Sequence, residues 1–205
     1  MSDYEKNIER LYQEPIFAKG GGVCRSPWDI DWQDEPFSPQ DETLISPIKL
    51  PGIMKDIWEK GEPTKTSAVY IHVPFCRLSC TYCAFYKKQA DEAAQHAYAN
   101  LLVKEIQSLQ NRPYLTRSKI SSVFFGGGTP GILSAADISS IMEAIHEVLP
   151  LTKDAEITME SSLSDMTDEK MDAAISGGVN RFSFGVQSFQ TKIRNGIGRS
   201  REKRC

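Results

Sequence analysis

The alternation of short apolar strands with amphipathic helices constrains this chain more than any other feature. Ser67–Val73 alternates, Val69 and Ile71 on one face and Tyr70 and His72 on the other, and Pro74 ends the run. Ala93–Leu109 then has helical spacing, with Tyr98, Leu101, Leu102, Ile106 and Leu109 on one side. Ile120–Phe125 predicts a second strand, followed at once by Gly126-Gly127-Gly128-Thr129-Pro130. Ser134 and Asp137 form a capping box for a helix that buries Ile138, Ile141, Met142, Ile145 and Leu149. Glu156–Glu160 reads as a third strand, and Thr167 caps a helix through Met171 and Ile175 that stops at Gly177-Gly178. Arg181–Val186 is a fourth strand and Phe189–Ile197 a fourth helix. Such alternation predicts an α/β fold built on a parallel sheet. Ligands of these sheets collect at the carboxyl ends of the strands, where Cys76, Gly126, Glu160 and Gln187 all fall.

Cys76-Arg77-Leu78-Ser79-Cys80-Thr81-Tyr82-Cys83 follows directly on the first strand. Three thiols so close together suit a metal site better than a core. Ferredoxin-type ligation takes four Cys, and structural zinc takes four closed ligands. The remaining Cys24 and Cys205 lie far off in sequence, and Cys24 reads as a spare thiol or one used in substrate handling. Three thiolates can hold three irons of a 4Fe-4S cube and leave the fourth open to a non-protein ligand. On spacing alone, a zinc or redox-inert thiol cluster stays open as the alternative.

The C-x-x-x-C-x-x-C string, with Tyr82 before its last Cys, resembles the cluster loop of the radical S-adenosylmethionine (SAM) enzymes. Tyr70-x-His72-x-Pro74-Phe75-Cys76 resembles, more narrowly, the group built around oxygen-independent coproporphyrinogen III oxidase. The resemblance runs from about residue 67 to 199, and loosely back to residue 15. It implies the N-terminal part of a partial TIM-like barrel, with four βα units present and an irregular extension before them. It also implies Cys76, Cys80 and Cys83 as ligands of a 4Fe-4S cluster whose open iron chelates the amino and carboxylate groups of S-adenosyl-L-methionine. One electron from the cluster then cleaves that cofactor to methionine and a 5'-deoxyadenosyl radical.

The same resemblance assigns the other site residues. Gly127, Gly128 and Thr129 belong to a G-G-x-T-P-like turn that contacts the methionine part near its amino group, although three glycines after a strand also make a plain tight turn. Gly178-Val179-Asn180-Arg181-x-Ser183-x-Gly185-Val186-Gln187-Ser188-Phe189 resembles the fourth-strand signature, so Gln187 is expected at the ribose and Arg199 at the cofactor carboxylate. Tyr70 is expected to reach that carboxylate too. Tyr82 packs between the cluster and the adenine, or is ordinary loop packing. Glu160 matches a cofactor-binding acid; the bland reading is a solvated strand-end carboxylate. Where the coproporphyrinogen oxidase pattern has an Asn-Pro-like or Asp-Pro-like pair, Ser161-Ser162 stands here. His72 and Phe75 shield the cluster or simply satisfy the strand. Arg181 reads as structural, and His96 and His146 as bland helix residues.

Ser161-Ser162 points to another branch. Phe17-Ala18-Lys19, Ser26-Pro27-Trp28, Glu160-Ser161-Ser162 and Asp168-Glu169-Lys170-Met171-Asp172 resemble the anaerobic haem-degradation (anaerobilin-synthase-type) branch. It implies radical methyl transfer to haem, ring opening without oxygen to a linear tetrapyrrole, and iron release, with a flavodoxin or ferredoxin as electron donor. The alternatives are oxidative decarboxylation of coproporphyrinogen III, a haem-trafficking protein without turnover, and an inactive chain.

Residues 1–66 read as an N-terminal extension and 67–205 as an incomplete radical SAM core. Asp3–Tyr12 predicts a short helix, and Pro51 opens another through Met54, Ile57 and Trp58; the stretch between is rich in Pro, Gly and acids. Trp28, Trp32 and Trp58 are expected to anchor the extension, which either drapes on the core or helps close a cleft. A sheet left open after its fourth strand would expose an edge, and the last residues, Arg199-Ser200-Arg201-Glu202-Lys203-Arg204-Cys205, have no capping logic. The expectation is therefore a fragment, or a short chain completed by a partner or second copy. A net charge of -3 in 205 residues and a pI of 5.7 give no electrostatic reason for a nucleic-acid partner. No apolar run reaches membrane-spanning length and no signal peptide is evident. Thiols clustered for metal fit a reducing cytoplasm.

Overall fold

Ile71 and Val73 are buried while Tyr70 and His72 face outward, so the predicted alternation holds along β3 (Ser67–Val73). The computed structural model describes residues 18–19, 22–23, 48–63, 65–85 and 88–199. The expected helix at 3–12, Cys24, Trp28, Trp32, the Ser26-Pro27-Trp28 string and the charged tail lie outside them. Two compact units are present, Met1–Lys49 and Leu50–Cys205. In the first, β1 (Ala18–Lys19) and β2 (Gly22–Val23) pair antiparallel, a hairpin that the reading of this stretch as irregular chain did not include.

In the second unit β4 (Ile120–Gly127), β5 (Leu151–Ser161) and β6 (Arg181–Phe184) follow β3 in one parallel sheet of order β3-β4-β5-β6. Spatial order matches chain order. With right-handed crossovers, every connection then passes the same face, as in a barrel wall. The fold is the expected α/β arrangement of four parallel strands with helices between them.

The connecting helices are set by local chemistry. α1 (Leu50–Lys60) lies before β3, and its Trp58 meets Tyr114 of α3 (Pro113–Arg117) edge-on at 5.9 Å. α2 (Glu92–Ser108) starts because the Asp91 side chain accepts from Ala94 N, and α4 (Ala135–Val148) because Ser134 accepts from Asp137 N. Thr167 does the same for α5 (Asp168–Ser176), and α6 (Thr191–Gly196) closes the series. α2 packs on α4, and α4 on α5. Ile138, Ile141, Met142 and Ile145 of α4 are almost fully buried against Val73, Val123, Phe125, Ile157 and Met159 of the sheet. Each such side chain contributes about 1.5–3 kcal/mol of transfer free energy. This seam is the main core. Leu101 and Ile175, expected on buried faces, are 62% and 54% exposed, because their helices meet the core along narrower stripes. No helix among the described residues is long and apolar enough to cross a membrane.

The opposite face of the sheet carries Tyr70, Phe124, Thr158 and Arg181 in register, with His72 beside Gly126 and Glu160 beside Ser183 further toward the carboxyl edge. That edge is where the thiol loop begins.

Candidate active site

The thiol loop has no helix or strand of its own, so its neck and its contacts hold it. Lys88 N donates to Pro74 O at 2.9 Å and Cys76 N to Lys88 O at 3.0 Å, pairing Phe75 with Lys88. Inside, Cys83 N donates to Cys80 O at 3.3 Å, and Thr81 N reaches Ile197 O at 3.2 Å beyond α6. Cys76, Cys80 and Cys83 are half-buried and all line one cavity of about 360 Å³. Among the described residues, no three His, Cys, Asp or Glu side chains close on a single ion. A cube carries its thiolates on separate irons and spreads them wider than one ion does, so the soft-donor set remains compatible with iron–sulfur ligation.

The glycine turn borders the same cavity. Gly127 has φ +107°, and a Cβ there would lie 2.6 Å from the His72 ring; one on Gly128 would lie 2.5 Å from the Phe75 carbonyl oxygen. Gly128 N donates to Val73 O at 2.7 Å and Thr129 N to Phe75 O at 2.8 Å. These bonds carry the ladder past the end of β3 and seat the turn against the thiol loop. Thr129 Oγ1 stands 3.4 Å from Cys76 Sγ.

The far wall comes from the ends of β5 and β6. Glu160, Gln187 and Arg199 line the cavity with Tyr82. Burial raises the pKa of the Glu160 carboxyl. Gln187 has φ +66°, a left-handed conformation uncommon for a residue with a side chain and one that clusters at functional sites. The Arg199 guanidinium donates to the Gly185 carbonyl, and its Nη1 reaches Cys80 Sγ at 3.7 Å. Burial and a hydrogen bond with Cys80 raise the Tyr82 phenol, against the opposing pull of Arg199.

Of the residues expected at the cluster or the cofactor, Tyr70 is outside the lining, as are His72, Phe75 and Gly126. The Tyr70 hydroxyl lies 3.2 Å from His72 Nδ1, its ring stacks on Phe124 at 6.2 Å, and it is 58% exposed. Burial and, less, the Glu160 charge raise its pKa. The residues read as bland have structural partners. His96 Nδ1 lies 2.6 Å from Asp137 Oδ1, His146 Nε2 donates to Gly177 O at 2.8 Å, and Arg181 pairs with Glu156 at 3.2 Å. Sequence reading missed Arg77, Ser164 and Asp165, and took Ser162 only as a mark of branch. Arg77 Nε donates to Asp165 Oδ1 at 2.6 Å, and a buried acid three residues after Ser162 was the available signal.

Comparison with known proteins bears on the whole arrangement. The profile of the radical SAM superfamily matches residues 70–204. Anaerobilin synthase of Escherichia coli O157:H7 is 42% identical over 64% of this chain and 30% of its own length. A heme chaperone of Lactococcus lactis is 35% identical over 66% of this chain and 34% of its own. Among solved structures, coproporphyrinogen III oxidase from Escherichia coli, a radical SAM enzyme, superposes with a TM-score of 0.60 at 28% identity, over 67% of this chain and 32% of that one. The chain thus spans about a third of the length of these relatives. Since the profile match runs from within β3 through the thiol loop, the glycine turn and the three strands that follow, the chain belongs to the radical SAM superfamily.

Proposed function

We propose that this chain carries the cofactor half of a radical SAM methyltransferase that opens the haem macrocycle without oxygen, giving a linear tetrapyrrole and releasing iron. The identity to anaerobilin synthase, higher than to the chaperone or the oxidase named above, carries this reading. The meeting of thiol loop, glycine turn and Arg199 around one cavity supports the cofactor part of it. When bound, the 4Fe-4S cluster and S-adenosyl-L-methionine supply a one-electron reductive cleavage, with the electron delivered by a flavodoxin or ferredoxin. The setting is a reducing cytoplasm.

In this proposal Cys76, Cys80 and Cys83 hold three irons. Gly128 and Thr129 have already committed their N–H groups to Val73 and Phe75, so the turn offers a ligand its carbonyls and the Thr129 hydroxyl. Acceptors of that kind suit the cofactor ammonium. Glu160, its carboxyl raised by burial, gains from the same cation. Arg199 orients the cofactor carboxylate, Gln187 the ribose, and Tyr82 closes the cavity beside Cys80. Tyr70 reaches the cofactor only if its hydroxyl leaves His72.

A second reading, haem trafficking without turnover, is favoured by the similarity to the heme chaperone. Anaerobic reconstitution followed by incubation with haem and with coproporphyrinogen III separates the possibilities. A methylated linear tetrapyrrole and free iron are expected from haem. Haem held unchanged without cofactor consumption favours trafficking, and a decarboxylated product from coproporphyrinogen III overturns both readings.

A further inference from the structure

Asp165 lines the cavity and is 4% exposed, yet nothing above gives it a task. Its Oδ1 accepts from Arg77 Nε at 2.6 Å, and its Oδ2 from Ser162 Oγ at 2.7 Å. The Ser162 hydroxyl also touches Ser164 Oγ at 3.0 Å, and Asp165 N closes the turn onto Ser162 O at 3.2 Å. Arg77 is the residue after Cys76 and belongs to the thiol loop. On α5, burial lowers the pKa of Lys170, and the Asp165 charge opposes that shift. Lys170 Nζ donates to Gly131 O at 2.9 Å and Ile132 O at 3.2 Å. Those carbonyls belong to the short 3-10 turn Pro130–Ile132 that continues the glycine turn.

One buried carboxylate therefore ties the thiol loop to the turn after β5, and Ser161 at the start of that turn packs so closely on Gly131 of the 3-10 turn that a Cβ there would collide with it. We infer that Asp165 is a positioning residue that sets the spacing between thiol loop and glycine turn, acting by its ion pair with Arg77. Ser162 orients the carboxylate. This gives the Ser161-Ser162 pair a physical role where the oxidase pattern carries other residues. The inference rests on the cluster reading for its consequence, but its geometry does not depend on a cluster.

The partners are unequal. Arg77 is 59% exposed and its charge returns to water if the pair is broken, whereas Asp165 is left buried, still accepting from the Ser162 hydroxyl. Asp165→Asn is thus the gentle variant and Arg77→Gln the harsher one.

The test is amide hydrogen exchange on the full chain without cluster, for the parent, Asp165→Asn, Arg77→Gln, the double variant and Arg77→Lys. Loop amides at Thr81 and Cys83 are expected to exchange about tenfold faster in either single variant. The double variant is expected to go no further, Arg77→Lys to recover most of the protection, and α4 amides to stay at the parental rate. Reconstituted Asp165→Asn is expected to lose iron to a chelator about tenfold faster than the parent. Parental loop exchange in the single variants, additive effects, or equal loosening of α4 would overturn the positioning role. A parent that takes up no iron–sulfur cluster overturns the cofactor reading instead, and the exchange result still decides the role of Asp165.

Discussion

Arg199 Nη1 stands 3.7 Å from Cys80 Sγ, joining the chain beyond β6 to the middle of the thiol loop. The same guanidinium is held by the Gly185 carbonyl. A cation fixed beside the proposed open iron is well placed for a cofactor carboxylate and poorly replaced by a neutral side chain.

Arg199→Gln is expected to weaken S-adenosyl-L-methionine binding by roughly ten- to a hundredfold, the worth of one charge-assisted hydrogen-bond pair, while leaving cluster content intact. Anaerobic calorimetry with an iron count on the same sample checks both halves.

Cys80→Ala should abolish the brown charge-transfer absorbance of the reconstituted protein, because a cube gripped by two thiolates has lost a third of its protein ligation. A full cluster spectrum in this variant would remove Cys80 from the ligand set.

Gly127→Ala meets two obstacles at once, φ +107° and a Cβ lying 2.6 Å from the His72 ring. A loss of about 1–3 kcal/mol is expected in urea unfolding. Gly52 of α1 has nothing within 4 Å of its would-be Cβ, so Gly52→Ala should stabilise by about 0.4–1 kcal/mol. The contrast separates a shaped turn from a mere absence of side chain.

Burial raises the Glu160 carboxyl above its ordinary value of 4.5. The folded chain then holds that proton more tightly than the unfolded chain, so stability falls as pH rises from that value through the raised one. Glu160→Gln is expected to raise the melting temperature at neutral pH, with the gain vanishing below about pH 4. Melting curves of parent and variant across pH check the sign, and an equal gain at every pH would remove Glu160 ionisation as the cause.

The strands and caps were legible because their signals are local. Ser134 with Asp137 and Thr167 with Lys170 act within one turn of helix, and β3 shows its period in adjacent residues. What was misjudged depends on neighbours. Gly126 and Gly127 read as loop, yet they stay in β4 because His72 and Val73 pair with them. β5 starts at Leu151 through Thr152-Lys153-Asp154, too polar for a strand pattern until Ile120 is placed opposite Leu151. α3 was passed over although Asn111 at φ 62° and Pro113 mark its approach. In the site, the thiols stood out by their spacing and the glycine turn only through the resemblance. Asp165 could not, since its partner Arg77 lies far back in the chain.

A sheet whose strands stand side by side in the order of synthesis has a temporal meaning as well. The thiols leave the ribosome ahead of Thr129 and Arg199, which they touch, while the contact of Ile197 with Thr81 is made by almost the last residues described. During translation the nascent loop is therefore exposed to iron and to oxidants alike, until β6 and α6 arrive to latch it.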